Sequence, residues 1–261
     1  MILDDLTNAT KKRISIEKKQ LPFTRIKKLV AELPVNDEFL FEKQLQQTGL
    51  NYICEIKRAS PSKGDIKLNI DVESIAKSYE EAGAAAISVL TEPQYFKGNL
   101  TDLEKVVANV SVPVLRKDFT IDSYMIYQAK LAGASAVLLI CAILTDNELK
   151  KFFELANKLG ISAIFEAHDE REIKRALAIG ARIIGVNNRN LKNFTINLSN
   201  ARNLRKLVPK RVLFISESGV KSSNDIDELK AANVNGVLIG ETMMLAKDKK
   251  KKLLELSNGE N

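Results

Sequence analysis

The sequence predicts one α/β domain folded as a (β/α)8 TIM barrel with an N-terminal helical extension, and three observations indicate it. Polar stretches with helical periodicity alternate with short runs of Val, Ile and Leu, the pattern of strands buried on both faces. Eight such runs begin roughly 20–35 residues apart, the spacing of βα units. The 261 residues also suit one barrel, because single α/β barrels routinely reach about 250 residues. A doubly wound open sheet is the structural alternative.

The eight runs are predicted as strands. Three of them are Tyr52–Lys57, Val112–Leu115 and Val212–Ser216. The other five end the helix-to-strand segments Tyr79–Leu90, Gln128–Ile140, Ala156–Phe165, Ala176–Val186 and Leu229–Gly240. A glycine between helix and strand supplies the left-handed C-terminal cap of the helix. Closing the eight strands into a barrel leaves no exposed edge strand.

The residues before the first strand predict a helical extension over residues 1–45, ahead of a barrel over residues 46–261. Apolar side chains recur there at helical spacing. They are Ile2, Leu3, Leu6, Ile14, Ile16, Phe23, Ile26, Leu29 and Val30. We expect two amphipathic helices packed over one end of the barrel. Near the other terminus, the lysine run Lys247–Lys252 is typical of a solvated helix face.

Composition leaves three classes of partner open. Lys and Arg number 40 against 33 Asp and Glu, so the formal net charge is +7. This charge suits nucleic acid, an anionic membrane surface or a small anionic substrate. Two cysteines, Cys54 and Cys141, exclude a disulfide framework or a Cys-rich zinc site. With no apolar run of about 18–20 residues and no signal-peptide core, we expect a cytoplasmic protein without a membrane partner.

Charged side chains end the predicted strands, where the active groups of parallel barrels lie. In Tyr52–Lys57, Glu55 and Lys57 share one face because side chains alternate along a strand. Cys54 and Ile56 share the other face and turn toward the helices, so the charged pair points into the barrel. Glu55 and Lys57 form either a structural ion pair or part of a site. Two opposite charges inside a barrel favour a site.

Two further strand ends carry candidates for acid–base chemistry. Lys117 leaves the strand that follows Val112, where it either pairs with Asp118 or Glu55 or acts in catalysis. A lysine among other cations in a partly dry site has a lowered pKa, so we expect Lys117 to act as an acid. Glu166 ends the strand Ile161–Glu166 and is a candidate base.

Two polar residues near strand ends are weaker indicators of function. Asn187 either forms a turn or hydrogen-bonds a substrate hydroxyl or carbonyl. His168 is the single histidine and precedes Asp169 at the start of a predicted helix. A capping or loop role for His168 is favoured over catalysis, and one histidine without a Cys partner predicts no metal site.

Two strand ends predict a phosphate site. In Ile215–Val220 and Leu238–Met243, an apolar strand is followed by a glycine and the start of a helix. Backbone N–H groups at such helix starts bind phosphate, and barrels commonly use the loops after the last two strands. The residues therefore predict a barrel enzyme for a small phosphorylated substrate, with a Lys/Glu acid–base set and no metal or redox cofactor.

The motifs at these strand ends closely resemble indole-3-glycerol phosphate synthase, in that family's order and spacing over essentially the whole chain. They are Glu55-Ile-Lys57, Ala59-Ser-Pro-Ser-Lys-Gly64, Leu90-Thr-Glu-Pro-Gln-Tyr-Phe96, Arg116-Lys-Asp-Phe119, Glu166-Ala-His168, Gly185-Val-Asn-Asn-Arg-Asn-Leu191 and Ser216-Glu-Ser-Gly219. The resemblance implies closure of 1-(2-carboxyphenylamino)-1-deoxyribulose 5-phosphate to indole-3-glycerol phosphate, with loss of carbon dioxide and water. This is a step of tryptophan biosynthesis.

The resemblance also implies catalytic roles. The catalytic residues it implies are Glu55, Lys57, Lys117, Glu166, Asn187 and Ser218. Lys117 resembles the general acid that protonates the ribulose carbonyl oxygen. Glu166 resembles the carboxylate that assists proton transfer and dehydration, supported by Glu55. Lys57 resembles the lysine that binds the substrate carboxylate and, in some accounts of the family, donates a proton in the later step. Asn187 and Ser218 would hold the anilino and hydroxyl groups.

Substrate-binding residues follow from the same resemblance. The phosphate site is matched by Ser60, Gly219, Gly240 and the backbone at Glu241. The apolar walls around the aromatic ring are matched by Phe96, Leu138 and Leu191. The remaining contacts are Glu217 and, at the anionic end, Arg189. We expect a monomer that binds one small phosphorylated molecule, without a cofactor or a nucleic-acid partner.

Three other functions compete with this interpretation. A retaining glycosidase would use Glu55 and Glu166, but the chain has no Trp for stacking a sugar. Phosphoribosylanthranilate isomerase, another phosphate-binding barrel enzyme, typically uses a Cys and an Asp at strand ends, and Cys54 lies on the wrong face. A nucleic-acid binder rests on the charge of +7 alone, without a binding signature or an aromatic platform.

Overall fold

The computed structural model describes residues 2–35, 37–190 and 194–258, and these contain the predicted closed barrel. In chain order the strands are β1 (Asn51–Ile56), β2 (Ala59–Ser60), β3 (Gly64–Asp65), β4 (Ala86–Leu90), β5 (Val114–Lys117), β6 (Ala136–Ile140), β7 (Ser162–Ala167), β8 (Ile183–Asn187), β9 (Leu213–Glu217) and β10 (Gly236–Ile239). Strands β1 and β4 to β10 pair in parallel in the order β1-β10-β9-β8-β7-β6-β5-β4, which closes the barrel and excludes the open sheet.

Helices surround the barrel and precede it. They are α1 (Ile2–Gln20), α2 (Phe23–Ala31), α3 (Leu40–Leu45), α4 (Val72–Glu81), α5 (Leu100–Val107), α6 (Ser123–Leu131), α7 (Asp146–Lys158), α8 (Glu170–Ile179), α9 (Ser199–Arg205), α10 (Ser223–Ala231), α11 (Glu241–Leu245) and α12 (Lys249–Leu256). Most barrel helices begin at an Asp, Asn, Ser or Thr whose side chain accepts a hydrogen bond from the first turn. None of the helices in the described ranges is long and apolar enough to span a bilayer.

Side chains alternate between two apolar layers. In β1, Ile53 packs inside the barrel, whereas Cys54 and Ile56 pack in the layer between strands and helices, which confirms the predicted alternation. The strand bounds differ from the prediction by one or two residues, and the predicted loop that follows β1 contains the short antiparallel hairpin β2–β3. Alternation fixes the face of each side chain but leaves the ends of strands less determined.

The N-terminal extension differs from the prediction in two ways. Three helices precede β1 in the described residues, not two, and they cover both ends of the barrel. Leu3 and Leu6 of α1 line the cavity at the carboxyl ends of the strands. At the amino ends, a Cβ on Gly236 would lie 2.8 Å from Leu45 Cδ2, so α3 packs directly under β10. Periodicity predicted apolar helix faces, but it contains no information on which end of the barrel each face covers.

The lysine run near the C-terminus is only partly a solvated face, which corrects the prediction. Lys249 is half-buried, and its ammonium donates hydrogen bonds to the carbonyls of Met243, Met244 and Ala246 at distances of 2.6, 3.1 and 2.8 Å. These carbonyls end α11, where a cation is favourable. One lysine of the run therefore caps a helix, and its neighbours Lys250 and Lys251 are exposed.

Candidate active site

A cavity of about 300 Å³ opens at the carboxyl ends of the barrel strands. Fourteen of the fifteen predicted site residues line it: Glu55, Lys57, Ser60, Phe96, Lys117, Leu138, Glu166, Asn187, Arg189, Glu217, Ser218, Gly219, Gly240 and Glu241. The fifteenth, Leu191, lies outside the described residues. Residues from all eight barrel strands and the loops that follow them thus meet in one space, as expected for a parallel barrel.

Glu55 and Lys57 form an ion pair inside this cavity. Lys57 Nζ lies 2.7 Å from Glu55 Oε1, and Ser88 Oγ donates to Glu55 Oε2 at 3.3 Å. A Cβ on Gly240 would lie 2.6 Å from Glu55 Oε1 and 2.8 Å from Lys57 Nζ, so glycine is what leaves room for the pair. The ammonium of Lys57 is paired but stays at the cavity wall, where a substrate anion can reach it.

Lys117 lies between two carboxylates. Its Nζ is 3.3 Å from Glu166 Oε2 and 3.3 Å from Glu217 Oε2, not paired with Asp118 or Glu55 as the sequence allowed. The expectation of a lowered pKa is wrong. Burial alone would lower the pKa of Lys117, but the surrounding carboxylates outweigh burial and raise it above its ordinary value. Lys117 is therefore an ammonium at neutral pH, a proton donor held by anions rather than by cations.

The two carboxylates beside Lys117 differ in acidity. Burial would raise the pKa of Glu166, but Lys117 and His168 outweigh burial and lower it. For Glu217, burial together with repulsion from the other buried carboxylates outweighs Lys117 and raises the pKa to about 7. A Cβ on Gly185 would lie 2.3 Å from Glu217 Oε1, so this glycine makes space for the Glu217 side chain. Glu166 is therefore ionised at neutral pH, whereas Glu217 titrates near neutral pH.

The Glu217→Gln variant should be more stable than the native chain above neutral pH. The folded chain keeps the Glu217 proton up to about pH 7, whereas an unfolded glutamate loses it near its ordinary pKa of 4.5. Stability therefore falls as the pH rises through this window, and glutamine removes that fall. The measurement is the melting temperature, where 1 kcal/mol corresponds to about 2–4 °C. A gain that is as large at about pH 4.5 as at about pH 8 would contradict this prediction.

Asparagines of the β8 end organise the neighbouring loop. Asn187 ends β8, and its Oδ1 accepts a hydrogen bond from the Arg189 backbone at 3.0 Å. The buried Asn188 donates to Ser216 Oγ at 2.9 Å and to the carbonyl of Ser218 at 3.0 Å. Ser218 has a φ of 68°, which non-glycine residues rarely adopt, so these bonds offset local strain. Asn188, which the sequence did not single out, fixes the turn that carries Ser218.

Part of the cavity lining has the backbone expected for an anion. Ser60, Gly219 and Gly240 line it together, and Gly219 has a φ of 96°. The carboxylate of Glu241 lies 3.1 Å from Lys63 Nζ in the hairpin turn. This pair neutralises the carboxylate of Glu241, and spacing along the sequence did not predict the contact.

Aromatic and aliphatic side chains form one wall. Phe96 and Phe119 have ring centroids 6.1 Å apart, and Leu138 lines the same cavity. The buried Glu92 accepts hydrogen bonds from the backbone of the loop, including that of Phe96 at 3.0 Å. Glu92 thereby fixes the loop that presents the ring. Phe119 was part of a recognised motif but was not assigned to the site, because its position after the strand did not reveal its direction.

A buried ion network joins the extension to the strand of Lys117. Arg13 of α1 donates to both oxygens of Asp118 at 2.8 Å, and Arg116 donates to Asp118 Oδ2 at 3.2 Å. Thr91 Oγ1 donates to the same oxygen at 2.5 Å. The two guanidinium groups outweigh burial and lower the pKa of Asp118. The network anchors α1 next to Lys117, and the sequence did not predict it.

His168 lies nearer to the acid–base group than predicted. Asp169, not His168, is the N-cap of α8 and accepts a hydrogen bond from the Glu172 backbone at 2.8 Å. His168 Nε2 lies 3.5 Å from Glu166 Oε1. The predicted loop position of His168 before the helix is confirmed and the capping role is not, and the contact with Glu166 was not predicted.

Comparisons with known proteins agree with the geometry. Residues 3–256 match the family model described as indole-3-glycerol phosphate synthase. A curated relative of that name from Leuconostoc mesenteroides is 54% identical over 251 residues, covering 95% of this chain and 96% of the relative. Another, from Lachnoclostridium phytofermentans, is 51% identical over 261 residues, covering 96% of each. Thiamine phosphate pyrophosphorylase from Pyrococcus furiosus superposes with a TM-score of 0.61 at 17% identity, over 83% of this chain and 96% of that one, a likeness of fold alone.

Proposed function

We propose that this chain, which belongs to the indole-3-glycerol phosphate synthase family, uses the cavity described above to close the indole ring of 1-(2-carboxyphenylamino)-1-deoxyribulose 5-phosphate. The enzyme is a carboxy-lyase of tryptophan biosynthesis, and the reaction releases carbon dioxide and water. The observation that carries the assignment of roles is Lys117, an ammonium held between Glu166 and Glu217 in the cavity.

Lys117 is the general acid in this proposal. The aryl carbon attacks the ribulose carbonyl, and negative charge develops on the carbonyl oxygen. Because its pKa is raised, Lys117 stays charged and stabilises this oxygen before its proton moves. Glu166, with its lowered pKa, is ionised and ready to accept the proton that is released in the dehydration. Once Lys117 has given up its proton, Glu166 can pass the proton it accepts back to Lys117, because the two groups lie 3.3 Å apart.

Lys57 and Glu55 serve the substrate's benzoate end. Lys57 Nζ is available to bind the carboxylate, which leaves as carbon dioxide once ring closure has removed the aromaticity of the ring. Its ion pair with Glu55 at 2.7 Å holds the ammonium at the cavity wall. Glu55 also adds negative charge near Lys117, which supports the donor in its protonated form.

The remaining cavity residues bind the rest of the substrate. Ser60 and the backbone at Gly219 and Gly240 hold the phosphate, and the Lys63–Glu241 pair keeps that end from being net acidic. The wall formed by Phe96, Phe119 and Leu138 excludes water from the aromatic ring of the substrate. Asn187, Ser218, Arg189 and Glu217 complete the polar contacts. We further propose a cytoplasmic monomer that needs no metal or cofactor, because its own acid and base supply the chemistry.

The test is direct turnover. Purified protein is mixed with the carboxyphenylamino ribulose phosphate, and the rise of indole fluorescence is followed together with the release of carbon dioxide. We expect one carbon dioxide for each indole formed. Absence of turnover, or conversion of phosphoribosylanthranilate instead, would overturn the proposal. Turnover that stops on addition of a metal chelator would overturn the statement that no metal is needed.

A further inference from the structure

The ring of His168 is held between two carboxylates from different elements. Its Nδ1 lies 3.3 Å from Glu172 Oε2 on α8, and that same oxygen accepts the backbone N–H of His168 at 2.8 Å. On its other side, His168 Nε2 lies 3.5 Å from Glu166 Oε1 on β7. Nε2 is buried and has no hydrogen-bond partner at normal distance within the described residues. The ring is thus oriented by Glu172 and aimed at the candidate base.

This arrangement suits an imidazolium. A neutral ring carries one N–H, so one of its nitrogens would turn a lone pair toward a carboxylate, whereas the imidazolium donates from both nitrogens. The charged groups that face the ring are Glu166 from β7, Glu172 from α8 and Glu217 from β9. From α9, Asn200 donates to the His168 carbonyl at 3.4 Å. Burial would lower the pKa of His168, but these carboxylates outweigh burial and raise it.

We propose that His168 is a positioning residue, a protonated ring clamped by Glu172 that holds one oxygen of Glu166 so that the other faces Lys117. Glu166 Oε1 faces His168, and Glu166 Oε2 lies 3.3 Å from Lys117 Nζ. Each oxygen of the base therefore has its own cation, which fixes the rotation of the carboxylate. This inference rests on the proposed function for the role of Glu166, but the contacts among the three side chains do not depend on it.

The first test measures the ring itself. His168 is the single histidine of the chain, so its imidazole signals in NMR need no assignment. We expect the native protein to titrate above the ordinary histidine pKa of about 6.5, with both ring nitrogens protonated at pH 6.5. The pKa should fall in Glu172→Gln and in Glu166→Gln. The control is Glu170→Gln, at an exposed residue of the same helix that pairs with Lys174, and it should leave the pKa unchanged.

Two results of this titration would contradict the proposed role of His168. A pKa at or below about 6.5 in the native protein, or one that neither Glu172→Gln nor Glu166→Gln changes, would overturn the clamp. The measurement needs no substrate, so it stands even if turnover fails. Failure of turnover would reject the proposed function, whereas the titration alone decides whether Glu172 and Glu166 hold the His168 ring.

The second test separates the two ring nitrogens by kinetics. In His168→Asn the side-chain amide nitrogen reaches Glu172 but not Glu166. In His168→Gln the amide nitrogen takes the place of Nε2 of the native ring. We expect His168→Asn to lower kcat about ten-fold with KM nearly unchanged, and His168→Gln to keep most of the activity. The native kcat should decline at high pH as the ring loses its proton, and His168→Gln should lack that decline. Native kcat and pH profile in His168→Asn would overturn the role.

Discussion

Replacing Lys117 with alanine is expected to lower kcat by about 10²–10⁴-fold, the range for removal of a general acid. Lys117 Nζ lies 3.3 Å from Glu166 Oε2 and from Glu217 Oε2, and its raised pKa keeps it charged at neutral pH. Without it, no ammonium adjoins Glu166 Oε2 to meet the developing oxyanion. The measurement is the fluorescence assay under single-turnover conditions, which isolates the chemical step from product release.

Two controls distinguish a lost acid from a lost structure. The first is thermal unfolding of Lys117→Ala, which should remain cooperative, because the two glutamates take up a proton when their cation is removed. The second is rescue by a small primary amine such as methylamine, which should restore turnover in proportion to its concentration. Turnover close to native without added amine would reject Lys117 as the acid. Loss of activity that no amine restores, in a cooperatively folded variant, would indicate a positioning role.

The closed barrel and most of its cavity follow from local rules. A run such as Ala136–Ile140 is short and apolar throughout, which predicts a strand buried on both faces. In β1, two-residue alternation turns Glu55 inward beside Ile53 and leaves Cys54 outside. Strand ends then converge because the barrel closes. Once the eight strands are recognised, their last inward residues have to meet, and this is why the predicted site residues in the described ranges line one cavity.

Charge state and long-range contacts could not be predicted in this way. The pKa of Lys117 depends on which charges surround it, and the sequence offered cations as readily as the carboxylates that the fold supplies. His168 Nε2 lies 3.5 Å from Glu166 Oε1, but His168 follows the last residue of β7, where strand alternation no longer fixes the direction of a side chain. Arg13 and Asp118 are 105 residues apart, and no pattern in either segment points to the other. These contacts depend on packing of whole elements.

The Asp118→Ala variant should lose about 3–5 kcal/mol of the free energy of unfolding, the range for removing one partner of a buried ion pair. Asp118 has a fully buried side chain that accepts from Arg13, Arg116 and Thr91. Alanine removes the carboxylate that Arg13 and Arg116 share, and these two side chains are only 14% and 3% exposed. Because Arg13 is on α1, backbone amides of this helix should exchange hydrogen faster in the variant than those of α10, which follows β9 on the side of the barrel opposite β5.

The matched control removes an acid from an exposed pair. Glu154 lies 4.0 Å from Lys150 on α7, with side chains 64% and 68% exposed, so Glu154→Ala should change stability by about 0–1 kcal/mol. A second variant, Arg13→Met, removes the link to α1 while Arg116 still neutralises Asp118. It should loosen α1 and lower kcat, because α1 lines the cavity beside Lys117, yet destabilise the barrel less than Asp118→Ala. Equal stability of Asp118→Ala and Glu154→Ala would show that the buried network is not what holds α1 to the barrel.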